Sequence, residues 1–224
     1  DRVAKLLILN PVSVCPGRFG TDVGVIVMKP QLSDPSLLKS ASYAAGRWAA
    51  GAADKLAVTN PATGEVIAEV GTVDRSGTEK AVAAAHEAMM SWRTVPAKTR
   101  AQVLRRWFDL MMTHQEDLAI IMTTEQGKTL TESRGEVAYG AAFMEWFGEQ
   151  AKRIDGDVIP APSHDKRVIC IKQPVGVVAA ITPWNFPNAM IARKAAPALA
   201  AGCSIVIKPA SETPLSALAM AELA

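Results

Sequence analysis

Two short polar segments stand directly after runs of apolar residues and carry side chains that suit a reactive site. In the first, Pro183 and Pro187 bracket Asn185, so the two prolines would hold its amide in a rigid loop. Such an amide can donate to negative charge that develops during a reaction. In the second, Lys208 and Ser211 supply an ammonium and a hydroxyl. Two simpler interpretations stay open: an asparagine that bonds its own backbone, and a solvated lysine.

The elements that would position these segments are two strands of a parallel sheet. The runs 175–181 and 204–207 are apolar, which is typical of buried strands covered by helices on both faces. A helix is predicted over 188–201 and ends at Gly202, and a last helix is predicted to begin at Thr213. This order makes a doubly wound α/β unit, in which ligands sit beyond the carboxyl ends of the strands.

The region before these strands is predicted to be mainly helical, after a hairpin that turns at 60–64. Four helices are predicted from residue pairs spaced like capping boxes: Ser76 with Glu79, Thr99 with Gln102, Thr113 with Glu116, and Thr129 with Glu132. Gly127 and Gly156 would end the third and the fourth helix. Glycines inside the fourth helix predict close packing against another backbone, and they are Gly135, Gly140 and Gly148.

Composition excludes several classes of protein. The 224 residues carry 24 Lys and Arg against 22 Asp and Glu, a net charge of +2 that is too balanced for a dedicated nucleic-acid binder. With 49% hydrophobic and 21% charged residues, the chain can bury a substantial core. No apolar run reaches the ~18 residues of a membrane span. The three cysteines lack zinc-ligand or disulfide spacing, so we expect no metal site and a cytoplasmic location.

Four motifs resemble those of the aldehyde dehydrogenase superfamily. They are Pro-Trp-Asn-Phe-Pro at 183–187, Glu-Gln-Gly-Lys at 125–128, Ala-Ala-Gly-Cys at 200–203 and Lys-Pro-Ala at 208–210. The resemblance covers residues 34–224 and is strongest to the bacterial NADP-dependent succinate-semialdehyde dehydrogenases. It implies an incomplete, Rossmann-like cofactor domain with an N-terminal helical segment and an oligomerisation strand.

The same resemblance implies roles for individual residues. Asn185 matches the oxyanion donor, and Arg193 matches the arginine that holds the distal carboxylate of the substrate, although it is also interpretable as a surface arginine. The implied reaction oxidises succinate semialdehyde to succinate through a cysteine thiohemiacetal and a thioester. The nucleophilic cysteine and the general-base glutamate would lie beyond Ala224, so this chain alone should be inactive. The implied cofactor-binding residues are Thr182, Pro183, Trp184, Lys208, Ala210 and Ser211.

The cofactor and the substrate each have an alternative. Ser211 stands where NAD-preferring relatives commonly carry a glutamate, which favours NADP, although NAD remains possible and Glu212 lies next to it. Arg193 would hold glutarate semialdehyde as well as succinate semialdehyde. A non-catalytic truncated protein, which binds a nucleotide or joins relatives through its strands, is a different class of explanation. No nucleic acid or membrane partner is expected.

We divide the chain into four parts. Residues 1–33 are expected to be an appended or disordered arm, with a native start possible at Met28, and a genuine flexible arm is the alternative. Residues 34–160 form the N-terminal helical part, and 161–174 contain the oligomerisation strand. Residues 175–224 form the first, truncated βαβα unit. The strand at 168–172 is implied to pair with another subunit, so a homo-oligomer, a dimer or a tetramer, is expected.

Overall fold

The computed structural model describes residues 30–44, 46–49 and 54–224, together with the backbone of residues 6–8. The helices are α1 (Arg75–Trp92), α2 (Ala97–Thr113), α3 (Gln115–Gln126), α4 (Leu130–Gln150), α5 (Ala189–Ala200) and α6 (Pro214–Leu223), with single 3-10 turns at Pro35–Leu37 and Ala151–Arg153. The strands are β1 (Leu6–Ile8), β2 (Ser42–Ala44), β3 (Arg47–Ala49), β4 (Lys55–Thr59), β5 (Val66–Gly71), β6 (Asp157–Ile159), β7 (Val168–Cys170), β8 (Val177–Ile181) and β9 (Ser204–Lys208).

The main sheet is five-stranded, in the order β3-β2-β1-β9-β8. Strands β8, β9 and β1 are parallel, and β2 and β3 continue the sheet antiparallel. Helices α1 and α5 both contact β8 and β9. The predicted order of strand, helix, strand and helix over 175–224 is therefore confirmed, as is the α/β fold class. The predicted hairpin is also present, since β4 and β5 pair antiparallel.

The two predicted strands differ in burial. In β9, Ser204 through Ile207 are all buried. In β8 only Ala180 is buried, and Ile181 at the carboxyl end is 71% exposed. Strand β8 has a single neighbouring strand within the described residues, so one of its edges lacks a partner there. The expectation of a buried strand is therefore correct for β9 and wrong for most of β8, although α1 and α5 both contact β8.

A strand that the sequence analysis does not predict lies inside the expected arm. The backbone of β1 pairs with β9 in parallel register, from Leu6 opposite Ile205 to Ile8 opposite Ile207. These three residues therefore belong to the sheet, and the rest of the arm up to residue 29 lies outside the described residues. At the end of the arm, the Asp117 carboxylate accepts hydrogen bonds from the amides of Ser33 and Asp34, both at 2.8 Å.

One of the four predicted helix starts is confirmed. Thr129 and Glu132 form a complete capping box at α4. Helix α1 instead begins after Asp74, whose carboxylate accepts from the Gly77 amide at 2.7 Å. Helix α2 begins at Ala97, two residues before the predicted Thr99. Helix α3 begins after His114, and the Thr113 hydroxyl, instead of capping it, donates to the Asp109 carbonyl of the preceding helix at 2.8 Å.

The glycines predicted to end helices have different roles. Gly127 and Gly202 adopt left-handed conformations, with φ of 88° at each, and end α3 and α5 as predicted. Gly156 does not end α4, which finishes at Gln150. A Cβ at Gly156 would lie 2.2 Å from the carbonyl oxygen of Cys170, so this glycine permits the close approach of β7.

Replacing Gly140 with Ala is expected to destabilise the fold by about 1–3 kcal/mol through overpacking. A Cβ at Gly140 would lie 2.3 Å from Oδ1 of Asn188 and 3.4 Å from Cα of Ala189, at the contact between α4 and α5. Gly135 on the same helix is the matched control, because a Cβ there would meet no atom within 4 Å among the described residues. Gly135→Ala is expected to stabilise the fold by about 0.5–1 kcal/mol. Urea unfolding measures both, and equal effects of the two substitutions would contradict the prediction.

A second hairpin stands at the surface. Strands β6 and β7 pair antiparallel, and all six of their residues are exposed, with Val158 at 76% and Ile169 at 68%.

Within the described part of the chain, none of the helices is long and apolar enough to cross a membrane. In the same residues, no three His, Cys, Asp or Glu side chains are grouped so that they could hold a metal ion.

Candidate active site

The carboxyl ends of β8 and β9 meet at one edge of the sheet, as their parallel pairing requires. Ile181 is the register partner of Lys208, and the amide of Thr182 donates to the Lys208 carbonyl at 3.2 Å. The following loops also touch, since the Thr213 hydroxyl lies 3.5 Å from the carbonyl oxygen of Trp184. The two polar segments singled out in the sequence therefore lie side by side.

The residues at this edge offer several groups that fit a phosphorylated nucleotide. Lys208 is half-buried and forms no ion pair within the described residues, so its ammonium can meet a phosphate. Ser211 is also half-buried, and Trp184 presents an aromatic ring that is 52% exposed. Ala210, in the same segment, is buried. A cation, a hydroxyl and an exposed aromatic ring at a strand end suit a nicotinamide dinucleotide.

Asn185 lies exposed in the loop between β8 and α5. Its backbone carbonyl accepts a hydrogen bond from Nζ of Lys128 at 3.0 Å. Among the described residues, none of the hydrogen bonds uses its side-chain amide, so that donor is available to a ligand. The simpler interpretation, an asparagine that bonds its own backbone, is therefore not supported.

Arg193 lies exposed on α5 and faces aromatic side chains of α4. Its guanidinium carbon is 5.9 Å from the centroid of the Phe143 ring, and Nη1 is 3.9 Å from Sδ of Met190. The Phe143 ring contacts that of Tyr139 edge to face, with the centroids 5.0 Å apart. Within the described part of the chain, Arg193 forms no ion pair, so its charge remains free for a carboxylate.

A pocket of about 490 Å³ lies beside the Asn185 loop. Its lining combines aromatic rings with charged groups, and includes Lys128, Glu132, Glu136, Tyr139 and Phe186. An aromatic wall with a few convergent polar groups is typical of a pocket for a small molecule.

Comparison with known proteins decides the family. Residues 48–224 match the profile of the Aldehyde dehydrogenase family. The chain belongs to the aldehyde dehydrogenase family. The glutarate-semialdehyde dehydrogenase of Pseudomonas aeruginosa is 58% identical over 195 residues, which cover 87% of this chain and 40% of that protein. The NADP(+) succinate-semialdehyde dehydrogenase of Escherichia coli is 55% identical, with the same 87% and 40% coverage.

A solved structure agrees with these relatives. The succinate-semialdehyde dehydrogenase of Burkholderia pseudomallei matches with a TM-score of 0.84 and 54% identity, over 86% of this chain and 40% of that one. This member of the aldehyde dehydrogenase family therefore spans about 40% of the length of the relatives that it matches. The predicted family and fold class are confirmed, while the roles of Asn185, Arg193 and the cofactor-edge residues stay predictions.

Sequence reasoning missed two buried glutamates that cap helices far from them in the chain. Glu136 accepts hydrogen bonds from the amides of Asn188 and Ala189, at 2.9 and 3.2 Å, at the start of α5. Glu125 accepts from the amides of Leu215 and Ser216, both at 2.7 Å, at the start of α6. For Glu125 the only signal was the Glu-Gln-Gly-Lys motif, which has no local capping pattern, and Glu136 lies outside that motif.

Glu125 replaces the cap that the sequence predicts for α6. Thr213 occupies the N-cap position as expected, but its side chain makes no capping hydrogen bond. The burial of Glu125 raises its pKa to about 7, because desolvation outweighs the hydrogen bonds that favour the carboxylate, and the negative charge of Glu136 adds to the rise.

Because the pKa of Glu125 is raised in the folded state, stability is expected to fall as the pH rises from about 5 to about 7. The folded protein holds a proton in this range that the unfolded chain has lost, and the contribution reaches about 3 kcal/mol. Glu125→Gln should remove this part of the pH dependence, measured by urea unfolding at pH 5 and 7.5. Glu87→Gln, on an exposed face of α1, is the control. An unchanged pH slope in Glu125→Gln would contradict the assignment.

Proposed function

We propose that this chain is the N-terminal part of a dehydrogenase that oxidises succinate semialdehyde to succinate with NADP. The observation that carries the proposal is Arg193, an exposed guanidinium without an ion-pair partner in the described residues, on the helix that follows the Asn185 loop. A guanidinium meets both oxygens of a carboxylate, so it suits an aldehyde whose far end is an acid. The name of the Escherichia coli relative supports the same substrate.

The roles follow from the chemistry of aldehyde oxidation. The amide of Asn185 would donate to the oxyanion that forms when a nucleophile attacks the aldehyde carbon. Arg193 would hold the distal carboxylate and so orient the aldehyde. When bound, the nicotinamide accepts the hydride of the substrate, and water supplies the second oxygen of the acid. The family resemblance assigns the nucleophile to a cysteine outside this chain. Cys203 is only 3% exposed, which is typical of a buried structural thiol.

The proposal is tested on the complete protein, expressed from the full reading frame. NADPH formation is measured with succinate semialdehyde, glutarate semialdehyde and butanal, which lacks the carboxylate. We expect kcat/KM for succinate semialdehyde to exceed that for butanal by at least about tenfold, the size of one charge-assisted hydrogen bond. Equal values for the two would overturn the carboxylate assignment, and NADP binding without turnover of any aldehyde would favour the non-catalytic alternative.

Glutarate semialdehyde is the second candidate substrate. It has the same terminal carboxylate as succinate semialdehyde, so Arg193 would hold either one, and the Pseudomonas aeruginosa relative carries its name. A kcat/KM for glutarate semialdehyde that exceeds the value for succinate semialdehyde in the same assay would favour this alternative.

NADP is favoured over NAD because Ser211 and Lys208 can both contact a 2′-phosphate. Ser211→Glu is expected to lower kcat/KM with NADP by about tenfold or more, since a carboxylate repels the phosphate, and to leave NAD less affected. Ser211→Gln is the neutral control of equal length. Initial rates with both cofactors measure the ratio, and an unchanged ratio in Ser211→Glu would contradict the assignment.

We further propose that the complete protein is a homo-oligomer, a dimer or a tetramer, in the cytoplasm. The exposed apolar side chains of β6 and β7 support an interface there, since Val158 and Ile169 are each more than two-thirds exposed. Light scattering after size-exclusion chromatography measures the number of subunits.

The described cysteines, Cys170 and Cys203, are both free thiols, which supports a reducing compartment.

A further inference from the structure

We propose that Lys128 and Glu136 form a buried clamp that holds the Asn185 loop, and that they are positioning residues for the oxyanion donor. This inference rests on the proposed function, because it assigns these residues a part in the same reaction. The clamp is defined as the Lys128–Glu136 ion pair together with its contacts to residues 185–189.

Lys128 supplies the first contact of the clamp. It follows Gly127, where the left-handed conformation ends α3 and directs the chain toward the loop. Its ammonium donates to the backbone carbonyl of Asn185 at 3.0 Å, although the two residues are 57 positions apart. The same nitrogen lies 4.4 Å from the centroid of the Phe186 ring, within the range of a cation–π contact.

Glu136 supplies the second contact and ties it to the first. Its Oε2 binds Nζ of Lys128, while Oε1 accepts from the amides of Asn188 and Ala189 at 2.9 and 3.2 Å. One carboxylate therefore holds the lysine with one oxygen and the start of α5 with the other. The loop from Asn185 to Asn188 is restrained at both ends by a single ion pair.

Burial makes this arrangement rigid and also unusual. The side chain of Lys128 is 12% exposed and that of Glu136 is 1% exposed. Ion pairs at such depth give little net stability over apolar residues of similar volume, so stability alone does not account for the pair. Fixing the backbone of Asn185 limits where its amide can point, and catalytic donors need such support from the residues around them.

The clamp is tested with Lys128→Met/Glu136→Gln, which removes both charges together and leaves a carbonyl to accept from the α5 amides. Hydrogen exchange of the amides at 184–189, followed by mass spectrometry, is the readout that does not depend on activity. We expect exchange there to be at least about tenfold faster than in the wild type. Lys80→Met, at an exposed lysine of α1, is the control.

Kinetics on the complete enzyme then separate positioning from a purely structural role. We expect the double substitution to lower kcat about tenfold and to change KM for NADP less than about twofold. In an Asn185→Ala background the same substitution should lower kcat by less than about twofold, because the donor that the clamp positions is gone. Glu136→Gln alone is the second variant if the double variant does not fold, and it should change exchange and kcat in the same directions.

The outcomes are distinguishable. Unchanged exchange at 184–189 would overturn the clamp, whatever the activity. Faster exchange with unchanged kcat, or a kcat loss that is fully additive with Asn185→Ala, would overturn the positioning role. A wild-type enzyme that oxidises no aldehyde would overturn the proposed function instead, and hydrogen exchange would still decide whether the pair holds the loop.

Discussion

Replacing Asn185 with Ala is expected to lower kcat for succinate semialdehyde by about 10²–10³-fold, the loss typical of one oxyanion donor. The side chain is exposed and forms no hydrogen bond within the described residues, so the fold should lose less than about 0.5 kcal/mol. Initial rates of NADPH formation by the complete enzyme measure the effect on kcat.

Two further measurements show whether the decrease of kcat in Asn185→Ala comes from the lost donor. Thermal unfolding and NADP binding should match the wild type, which separates the loss of a donor from misfolding or from damage to the cofactor site. A kcat within about threefold of the wild type would show that Asn185 does not stabilise the transition state, since even a weak donor contributes more.

Replacing Arg193 with Ala is expected to raise KM for succinate semialdehyde by about 10- to 100-fold, the value of charge-assisted hydrogen bonds to a carboxylate. KM for butanal should change less than about twofold, because butanal has no charge to hold. The guanidinium carbon lies 5.9 Å from the centroid of the Phe143 ring and the guanidinium pairs with no acid in the described residues, so the substitution breaks no ion pair there. Steady-state kinetics with both aldehydes measure the contrast.

Two variants control for charge and for shape. Arg106→Ala removes an exposed arginine from α2 and should leave both KM values unchanged. Arg193→Lys keeps the charge but loses the two-pronged geometry, so its KM should lie between those of the wild type and Arg193→Ala. Equal increases of KM for succinate semialdehyde and butanal in Arg193→Ala would remove the assignment of Arg193 to the carboxylate.

Features set by neighbouring residues in the chain were predictable. The apolar runs that became β8 and β9, the left-handed glycines at 127 and 202, and the capping box at Thr129 all depend on local backbone preferences. The position of Asn185 at the sheet edge also followed, because parallel strands bring their carboxyl ends together.

The N-terminal caps of the helices were harder to predict from neighbouring residues. The first amides of a helix need acceptors, but any acceptor that packing brings close will serve. The sequence pattern offered nearby residues such as Ser76 and Thr213, whereas the fold uses Asp74 for α1 and Glu125, 90 residues from its partner, for α6. The remote acceptor of α6 was therefore not predictable from nearby residues, whereas α1 uses a local acceptor that lies two residues before the predicted one.

By itself, the sequence determined the family and the order of strands and helices after residue 175, and it singled out Asn185 and Arg193 as candidates for the proposed site. The tertiary structure decided which distant groups support them: Glu136 at the start of α5, and Lys128 on the carbonyl of Asn185. The physical reason is the range of the interactions. Backbone preferences and periodicity act over a few residues, while a buried ion pair forms only when packing brings remote segments together.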